Sequence, residues 1–277
     1  QPDAAEDVYV IGDERVQGRG AERIDAVVDH VRDRAGVDHP VRLESENSFP
    51  PNIGFGSSAS GFAAAAMALS TAAGLDLSRP EVSTIARRGS ASAARAVTGA
   101  FSHLHSGMND ADCRSERIET DLEDDLRIVA AHVPSYKETE EAHREAAESH
   151  MFKARLAHIH HQIDAARDAL SDADFERAFE LAEHDSLSLA ATTMTGPAGW
   201  VYWQPDTLAV FNAARELRES EGIPAYFSTY TGASVYVNTT VDHVDSVEDA
   251  VSSVGVDTDV WEVGGPAEIR SDGDALF

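Results

Sequence analysis

The chain contains little lysine and is dominated by acidic residues. Its only lysines are Lys137 and Lys153, so arginine supplies the rest of the 22 basic side chains, against 49 acidic ones. The formal net charge of -27 opposes approach to nucleic acid and to anionic membrane surfaces, and we exclude both as expected partners. Concentrated salt screens the self-repulsion of such a surface. The composition therefore predicts a protein from a halophile, which we interpret as an archaeon.

Cysteine and long apolar runs are also scarce. Cys113 is the single cysteine, which excludes a disulfide within the chain. No stretch approaches the roughly 20 apolar residues that a membrane helix needs, and residues 1–16 lack the basic start and apolar run of a signal peptide. We therefore expect a cytoplasmic, soluble protein. Because the first residues lead directly into an alternating strand, we also expect a further segment upstream of residue 1.

The hydrophobic pattern that is present predicts an α+β fold. Val8–Ile11 and the following Gly12-Asp13 turn are typical of a β-hairpin. Ile24, Val27, Val28 and Val31 share one face of a predicted helix over residues 21–35. The other predicted elements are a strand at 41–45, helices from 60 and over 86–101, a strand at 126–133, helices within 138–189, a helix at 207–219, two strands within 225–239, a helix at 246–254 and a strand at 259–263. A boundary near Pro134 gives two predicted lobes, residues 1–134 and 135–277.

Two features of the helices predicted within residues 138–189 lead to further predictions: a stripe of apolar residues and a run of histidines. The stripe steps by four and three residues and is predicted to face the core; it comprises Phe152, Leu156, Ile159, Ile163, Ala166 and Leu170. The HIHH run at 158–161 invites a metal hypothesis, but its members diverge around the helix and lack zinc-ligand spacing. We interpret it as a solvated face.

A glycine- and serine-rich octet, GFGSSASG at 54–61, precedes an alanine-rich predicted helix. Free N–H groups at a helix start can hold an anion, and the glycines permit close approach of a phosphate. The simpler alternative is a tight entry turn capped by a serine. A Walker A loop is excluded because no lysine lies nearby. Gly54, Gly56 and Ala59 fit the loose dinucleotide pattern, but Pro50 and Pro51 stand where that pattern requires a strand.

Four segments together resemble a known family. SENSFPPNIGFGSSASGFAAAAMAL at 45–69 looks like the second motif of the GHMP kinase superfamily, in the version found in mevalonate diphosphate decarboxylases. STIARRGSASAARAVTGAF at 83–101, the helical segments at 139–156 and 171–193, and FSTYTGASVYV at 227–237 resemble later parts of that family, in the same order. The resemblance implies a GHMP kinase two-lobe fold. Its N-terminal lobe would be ribosomal-protein-S5-like and incomplete at its start, and its C-terminal lobe ferredoxin-like.

The resemblance also implies an activity. Members use ATP and Mg2+ to phosphorylate the tertiary 3-hydroxyl of a mevalonate phosphate, and then release phosphate and CO2 to leave an isopentenyl phosphate. The implied substrate is mevalonate 5-phosphate or 5-diphosphate, and the archaeal interpretation favours the monophosphate. A homodimer is likewise implied.

Site residues follow by position in the resembling segments. The turn of Gly54, Gly56, Ser57, Ser58, Ala59 and Ser60 would bind the ATP phosphates, with Ser58 also meeting Mg2+. Ser90 and Ser92 would bind the mevalonate moiety, and Arg95 would be the catalytic residue facing its carboxylate and 3-phosphate. Without the resemblance, an arginine on such a helix is an ordinary surface or salt-bridged residue. Thr139 would contact substrate, or else cap the long helix that follows.

Two departures from the family pattern bear on activity. The family's first motif, which carries a lysine, has no counterpart in this chain. Its third motif places an aspartate where this chain has Tyr230. A phenol titrates near pH 10 and is a poor general base at neutral pH. We therefore expect a weak or inactive decarboxylase, with a 3-kinase that does not decarboxylate and a non-catalytic ligand-binding relative as alternatives.

Overall fold

The computed structural model describes residues 6–49, 56–134, 139–230 and 232–270, with side chains described throughout except at 139–143. The chain forms two compact units. The first contains the described residues up to Ile118 and those from Gly264 onward, and the second contains Glu119–Val263. The division into two lobes at residues 1–134 and 135–277 remains a prediction. The compact units divide the chain differently, because residues 119–134 belong to the second unit.

The first unit combines a small sheet with a group of helices. Its elements in chain order are β1 (Val8–Ile11), β2 (Glu14–Arg15), α1 (Arg19–Ala35), β3 (Arg42–Ser45), α2 (Ser57–Ala72), α3 (Arg79–Ala86), α4 (Ala93–Thr98), β4 (Ser102–Leu104) and β5 (Ser115–Arg117). The predicted hairpin is confirmed, because β1 pairs antiparallel with β2 and also parallel with β3. The β4–β5 hairpin was not predicted.

Alanine-rich packing builds the core of this unit. The predicted face of α1, with Ile24, Val27, Val28 and Val31, is buried as expected. It joins a single core with small residues of α2 and α4, which allow the helices to approach closely. Arg32 of α1 also contacts Asp7 next to β1 at 2.6 Å. Burial alone would raise the pKa of Asp7, but hydrogen bonds from Arg32 and the Val41 N–H lower it.

The helix predicted over residues 86–101 is interrupted. Helix α3 ends at Ala86, a turn follows, and α4 begins only at Ala93. Gly89 and the neighbouring serines explain the break, since glycine and serine disfavour the interior of a helix. Helix α3 itself begins with a capping box in which Glu81 accepts from Ser78. The turn between α3 and α4 carries the predicted substrate-binding serines.

A returning segment closes the first unit. The Ala100 N–H donates to the Gly264 carbonyl at 2.9 Å, and the Ala267 N–H donates to the Val97 carbonyl at 3.1 Å. Gly99 has φ 76°, and a Cβ at this position would lie 2.3 Å from the Pro266 nitrogen. Only glycine therefore fits at position 99.

The second unit packs helices on an antiparallel sheet. Its elements are α5 (Leu122–Asp125), β6 (Leu126–His132), α6 (Thr139–Glu148), α7 (Phe152–Ser171), α8 (Phe175–Met194), α9 (Pro205–Glu216), β7 (Tyr226–Ser228), β8 (Val235–Thr240), α10 (Val244–Ser252) and β9 (Asp257–Glu262). The strand order is β7-β8-β6-β9. The core includes Val129, Phe227, Val235 and Val237 of the sheet and Val210 of α9. Within the described residues, no helix is long and apolar enough to span a membrane.

The predicted stripe of α7 is only partly correct. Leu156 is 48% exposed, whereas Ala165 and Ala169 are the buried residues of this helix. The buried side of α7 is thus built from small residues, which the spacing of the larger ones did not indicate. His158, His160 and His161 are all exposed. Across the part of the chain that the structure describes, no three His, Cys, Asp or Glu side chains are placed to share a metal ion.

Candidate nucleotide and substrate site

The start of α2 has the features of an anion site. Gly56 adopts a left-handed conformation, φ 74°, immediately before Ser57. No described side chain caps the helix, so its first backbone N–H groups remain available. Ser58 is exposed and Ser57 half-buried, while Ala59 is buried in the core. The Ser60 hydroxyl is already engaged, donating to the Ser57 carbonyl at 3.0 Å.

This arrangement suits a polyphosphate. The helix dipole and the uncapped N–H groups favour negative charge, and the exposed Ser58 hydroxyl can bind either a phosphate oxygen or a metal ion. Magnesium retains several water ligands when it binds phosphates, so one serine oxygen is an adequate protein contribution. Gly54, the other predicted glycine of the turn, lies outside the described residues.

The structure brings Ser90, Ser92 and Arg95 onto one short segment. The Ser90 and Ser92 hydroxyl oxygens lie 3.1 Å apart. Arg95 follows three residues later, nearly one turn along α4, and is exposed. Its guanidinium makes no hydrogen bond or ion pair with any described residue. Two paired hydroxyls and a free guanidinium together can bind a hydroxyl-bearing carboxylate or phosphate.

Two nearby arginines already form hydrogen bonds and ion pairs within the protein. Arg87 donates to the Cys113 carbonyl at 2.8 Å, and both Arg87 and Arg88 contact Asp110. The hydrogen bond from Arg87 is the main reason that the pKa of Asp110 is lowered. These arginines hold the segment between β4 and β5, whereas Arg95 remains available to a ligand.

Sequence reasoning did not single out two neighbours of the serine turn. Arg23 of α1 donates its Nε hydrogen to the Gly89 carbonyl at 2.7 Å. Its guanidinium carbon also lies 4.8 Å from the ring centroid of Phe62 in α2. Arg23 and Gly89 are far apart in sequence, and no local pattern indicates their contact.

The remaining predicted residues lie in the second unit. Tyr230 follows β7, is 61% exposed, and packs edge-on against Tyr236 with ring centroids 5.7 Å apart. Burial, with a smaller contribution from Tyr230, raises the pKa of Tyr236 to about 12. Tyr230 borders a shallow pocket whose other walls are Ala190, Thr193, Met194, Tyr202, Trp203 and Gly232. Thr139 is the first residue of α6, and its side chain lies outside the description.

Helix α8 covers the outer edge of the strand leading to Tyr230. Glu183 accepts from the Phe227 N–H at 3.1 Å, and Ser186 accepts from the Thr229 N–H at 3.1 Å. Arg218 forms a two-point ion pair with Glu183, at 2.8 and 3.0 Å. These side chains satisfy backbone groups that β8 does not reach, and the sequence pattern gave no sign of them.

Comparison with known proteins relates this chain to enzymes of one family. A family model, the diphosphomevalonate decarboxylase-like N-terminal domain, matches residues 1–115. The phosphomevalonate decarboxylase of Haloferax volcanii is 79% identical over all 277 residues, which cover 86% of that protein. This relative agrees with the predicted halophilic source. The diphosphomevalonate decarboxylase of Candida albicans is 30% identical over 71% of this chain, and the match spans only 57% of the fungal protein.

Solved structures agree in fold. The mevalonate diphosphate decarboxylase of Staphylococcus aureus superimposes with a TM-score of 0.90 at 27% identity, over 96% of this chain and 82% of that one. A complex of MDDEF with MVAPP, AMPPCP and magnesium gives a TM-score of 0.85 at 26% identity, over 96% of this chain and 83% of that one. The predicted GHMP-type α+β fold is thus confirmed. The chain belongs to the family of mevalonate-phosphate decarboxylases.

Proposed function

We propose that this protein catalyses the ATP-dependent decarboxylation of mevalonate 5-phosphate to isopentenyl phosphate. The γ-phosphoryl group of ATP passes to the tertiary hydroxyl oxygen, whose proton is released, and ADP forms. The bond from the tertiary carbon to that oxygen then breaks and phosphate leaves. The electrons of the bond to the carboxylate carbon form the new carbon–carbon double bond, and CO2 departs.

The choice of monophosphate rests on the relative that is similar along the whole chain. The Haloferax volcanii protein is a phosphomevalonate decarboxylase at 79% identity, whereas the fungal relatives named for the diphosphate reach about 30%. A difference of this size in identity favours the substrate of the nearer protein. The diphosphate is therefore our second candidate substrate for the same reaction.

The start of α2 is suited to hold the ATP phosphates. Its uncapped N–H groups and the exposed Ser58 hydroxyl supply donors and one oxygen ligand, in keeping with a related structure that contains AMPPCP and magnesium. When bound, magnesium neutralises charge on the transferring phosphoryl group. Gly56 permits close approach because its left-handed turn carries no side chain.

The observation that carries the proposal is the free Arg95 beside the paired serines. Ser90 and Ser92 can donate to the mevalonate oxygens, and the Arg95 guanidinium matches a carboxylate or a phosphate bidentately. A cation at this position stabilises the charge that develops on the leaving phosphate. Phosphoryl transfer depends chiefly on positioning and charge stabilisation, which these three residues supply.

The expectation of weak activity rests on the missing first motif and on Tyr230, and it receives no support from the comparisons. The loose transition state of phosphoryl transfer leaves little proton chemistry for a protein base to perform. We therefore propose an active enzyme. The homodimer that the resemblance implies remains a prediction.

Replacement of Arg95 tests this function directly. We expect Arg95→Gln to lower kcat for CO2 release by about 10²- to 10³-fold, because it removes a preorganised cation from the developing charge. Arg167→Gln is the matched control, since Arg167 is an exposed arginine of α7 without a partner among the described residues. ADP and CO2 are measured separately, with purified protein, ATP, Mg2+ and mevalonate 5-phosphate in molar KCl.

The same assay separates the alternatives. ADP formation without CO2 would identify a 3-kinase that does not decarboxylate. Failure of the wild-type protein to bind ATP and Mg2+ in calorimetry would indicate a non-catalytic relative. Equal activity of Arg95→Gln and wild type would contradict the role assigned to Arg95.

A further inference from the structure

We propose that Arg23 is a positioning residue that fixes the peptide between Gly89 and Ser90 and thereby orients the serines that receive mevalonate phosphate. The inference rests on the proposed function, since it assigns a role within the same site. It does not require Arg23 to touch the substrate.

The hydrogen bond from Arg23 controls the backbone at Ser90. The Gly89 carbonyl that accepts from Arg23 Nε at 2.7 Å belongs to the same planar peptide unit as the Ser90 N–H. Holding this carbonyl therefore sets the direction in which the chain leaves Gly89. Ser90 in turn lies with its hydroxyl 3.1 Å from that of Ser92.

Phe62 holds the same peptide from a second side. A Cβ at position 89 would lie 2.2 Å from the Phe62 ring, so only glycine allows the backbone to rest on this ring. Phe62 is 8% exposed and also contacts the Arg23 guanidinium. We call these three residues the Arg23–Phe62–Gly89 stack.

The stack links the serine turn to the start of α2. Phe62 lies four residues after Ser58, and residues with this spacing share one face of a helix. Arg23, from α1, thus joins the segment proposed to bind mevalonate phosphate to the helix proposed to bind ATP. All three members lie in the first compact unit.

The contacts of Arg23 distinguish it from a conventional structural arginine. No carboxylate pairs with it in the described residues, and its partners are a neutral carbonyl and an aromatic face. Lysine has no planar group that can stack on a ring while donating sideways to a carbonyl. Arg23→Lys therefore keeps the positive charge and removes the geometry.

Calorimetry on the full-length variants tests the proposal. We expect Arg23→Lys to weaken binding of mevalonate 5-phosphate about tenfold, as loss of one charge-assisted hydrogen bond would do. The Kd of AMPPCP with Mg2+ should stay within about twofold, which is below 0.5 kcal/mol, with little change in Tm. Arg34→Lys is the control, because this exposed arginine of α1 donates to Thr84 and touches no member of the stack.

Two results would overturn the inference. One is unchanged affinity for mevalonate 5-phosphate in folded Arg23→Lys. The other is an equal fall in the affinities for both ligands together with a lower Tm, which would indicate general destabilisation.

A second measurement separates this inference from the proposed function. If wild type binds neither ligand, the proposed function fails, and amide hydrogen exchange in the ligand-free protein then decides the positioning role. Faster exchange at residues 89–92 in Arg23→Lys, with Arg34→Lys unchanged, supports control of this peptide by Arg23. Unchanged exchange overturns it.

Discussion

Single residues distinguish the ligand site that we propose in the first unit. Arg95 is exposed and unpaired among the described residues, while Arg87 and Arg88 are held by Asp110. Arg167 is equally free, so what distinguishes Arg95 is its place on the same short segment as Ser90 and Ser92, which we propose receive the substrate.

Tyr230 is the residue whose type agrees least with its family position. Its hydroxyl makes no hydrogen bond with a described residue, and its ring is mostly exposed. We expect Tyr230→Phe to keep the rates of ADP and CO2 formation within about threefold, because phosphoryl transfer needs little help from a base. Coupled assays of both products at saturating substrate measure this.

Two outcomes would change that view. A loss of tenfold or more in Tyr230→Phe would place the phenol in the mechanism. A large gain in Tyr230→Asp would instead support the expectation that the tyrosine weakens catalysis.

At the scale of elements, α8 acts as a cover for the edge of β7. Glu183 and Ser186 stand one helical turn apart and accept from alternate N–H groups of Phe227 and Thr229. The N–H of the residue between them points the other way, towards β8, which pairs with β7. Helix α8 and strand β8 together therefore satisfy the N–H groups of β7. The cover also prevents the edge from pairing with another chain.

Loss of this cover should cost stability. We expect Glu183→Ala to lower the free energy of unfolding by about 1–3 kcal/mol, because it leaves the buried Phe227 N–H without an acceptor, whereas Arg218 keeps its hydrogen bond to the Ala225 carbonyl. Glu183→Gln should cost less, since its amide oxygen can still accept from Phe227. Urea unfolding measures both, with Glu180→Ala as the control at an exposed position of the same helix. An unchanged midpoint in Glu183→Ala would show that the ion pair contributes nothing net.

The elements also show what sequence reasoning can reach. Strong local periodicity predicted α1 and the β1–β2 hairpin, and alanine content predicted α2. The β4–β5 hairpin was not predicted, because strands of three residues are too short to show an alternation of apolar and polar residues. The family resemblance supplied the GHMP-type fold, which is confirmed, and the serine and arginine positions of the candidate site, which remain a prediction. The contact between Arg23 and Gly89 joins residues 66 positions apart in the sequence, so no local sequence pattern could predict it.

For the whole molecule, acidity couples stability to salt. The Debye length falls from about 10 Å at 0.1 M salt to about 3 Å at 1 M. We expect Tm to rise with KCl over this range by on the order of 10 °C, as repulsion among 49 acidic side chains is screened. Scanning calorimetry checks this, with sucrose as the control for solvent exclusion alone. A similar gain in sucrose at low salt would contradict a charge mechanism.

The return of residues 264–267 to the first unit has a consequence for biosynthesis. Gly264 and Ala267 bond to Ala100 and Val97, yet they leave the ribosome only after the entire second unit. Domains generally fold as units while the chain emerges, N-terminal parts first. Here the earlier unit must wait for its closing segment, so the second unit can finish folding before the helix that carries Arg95 is fully enclosed.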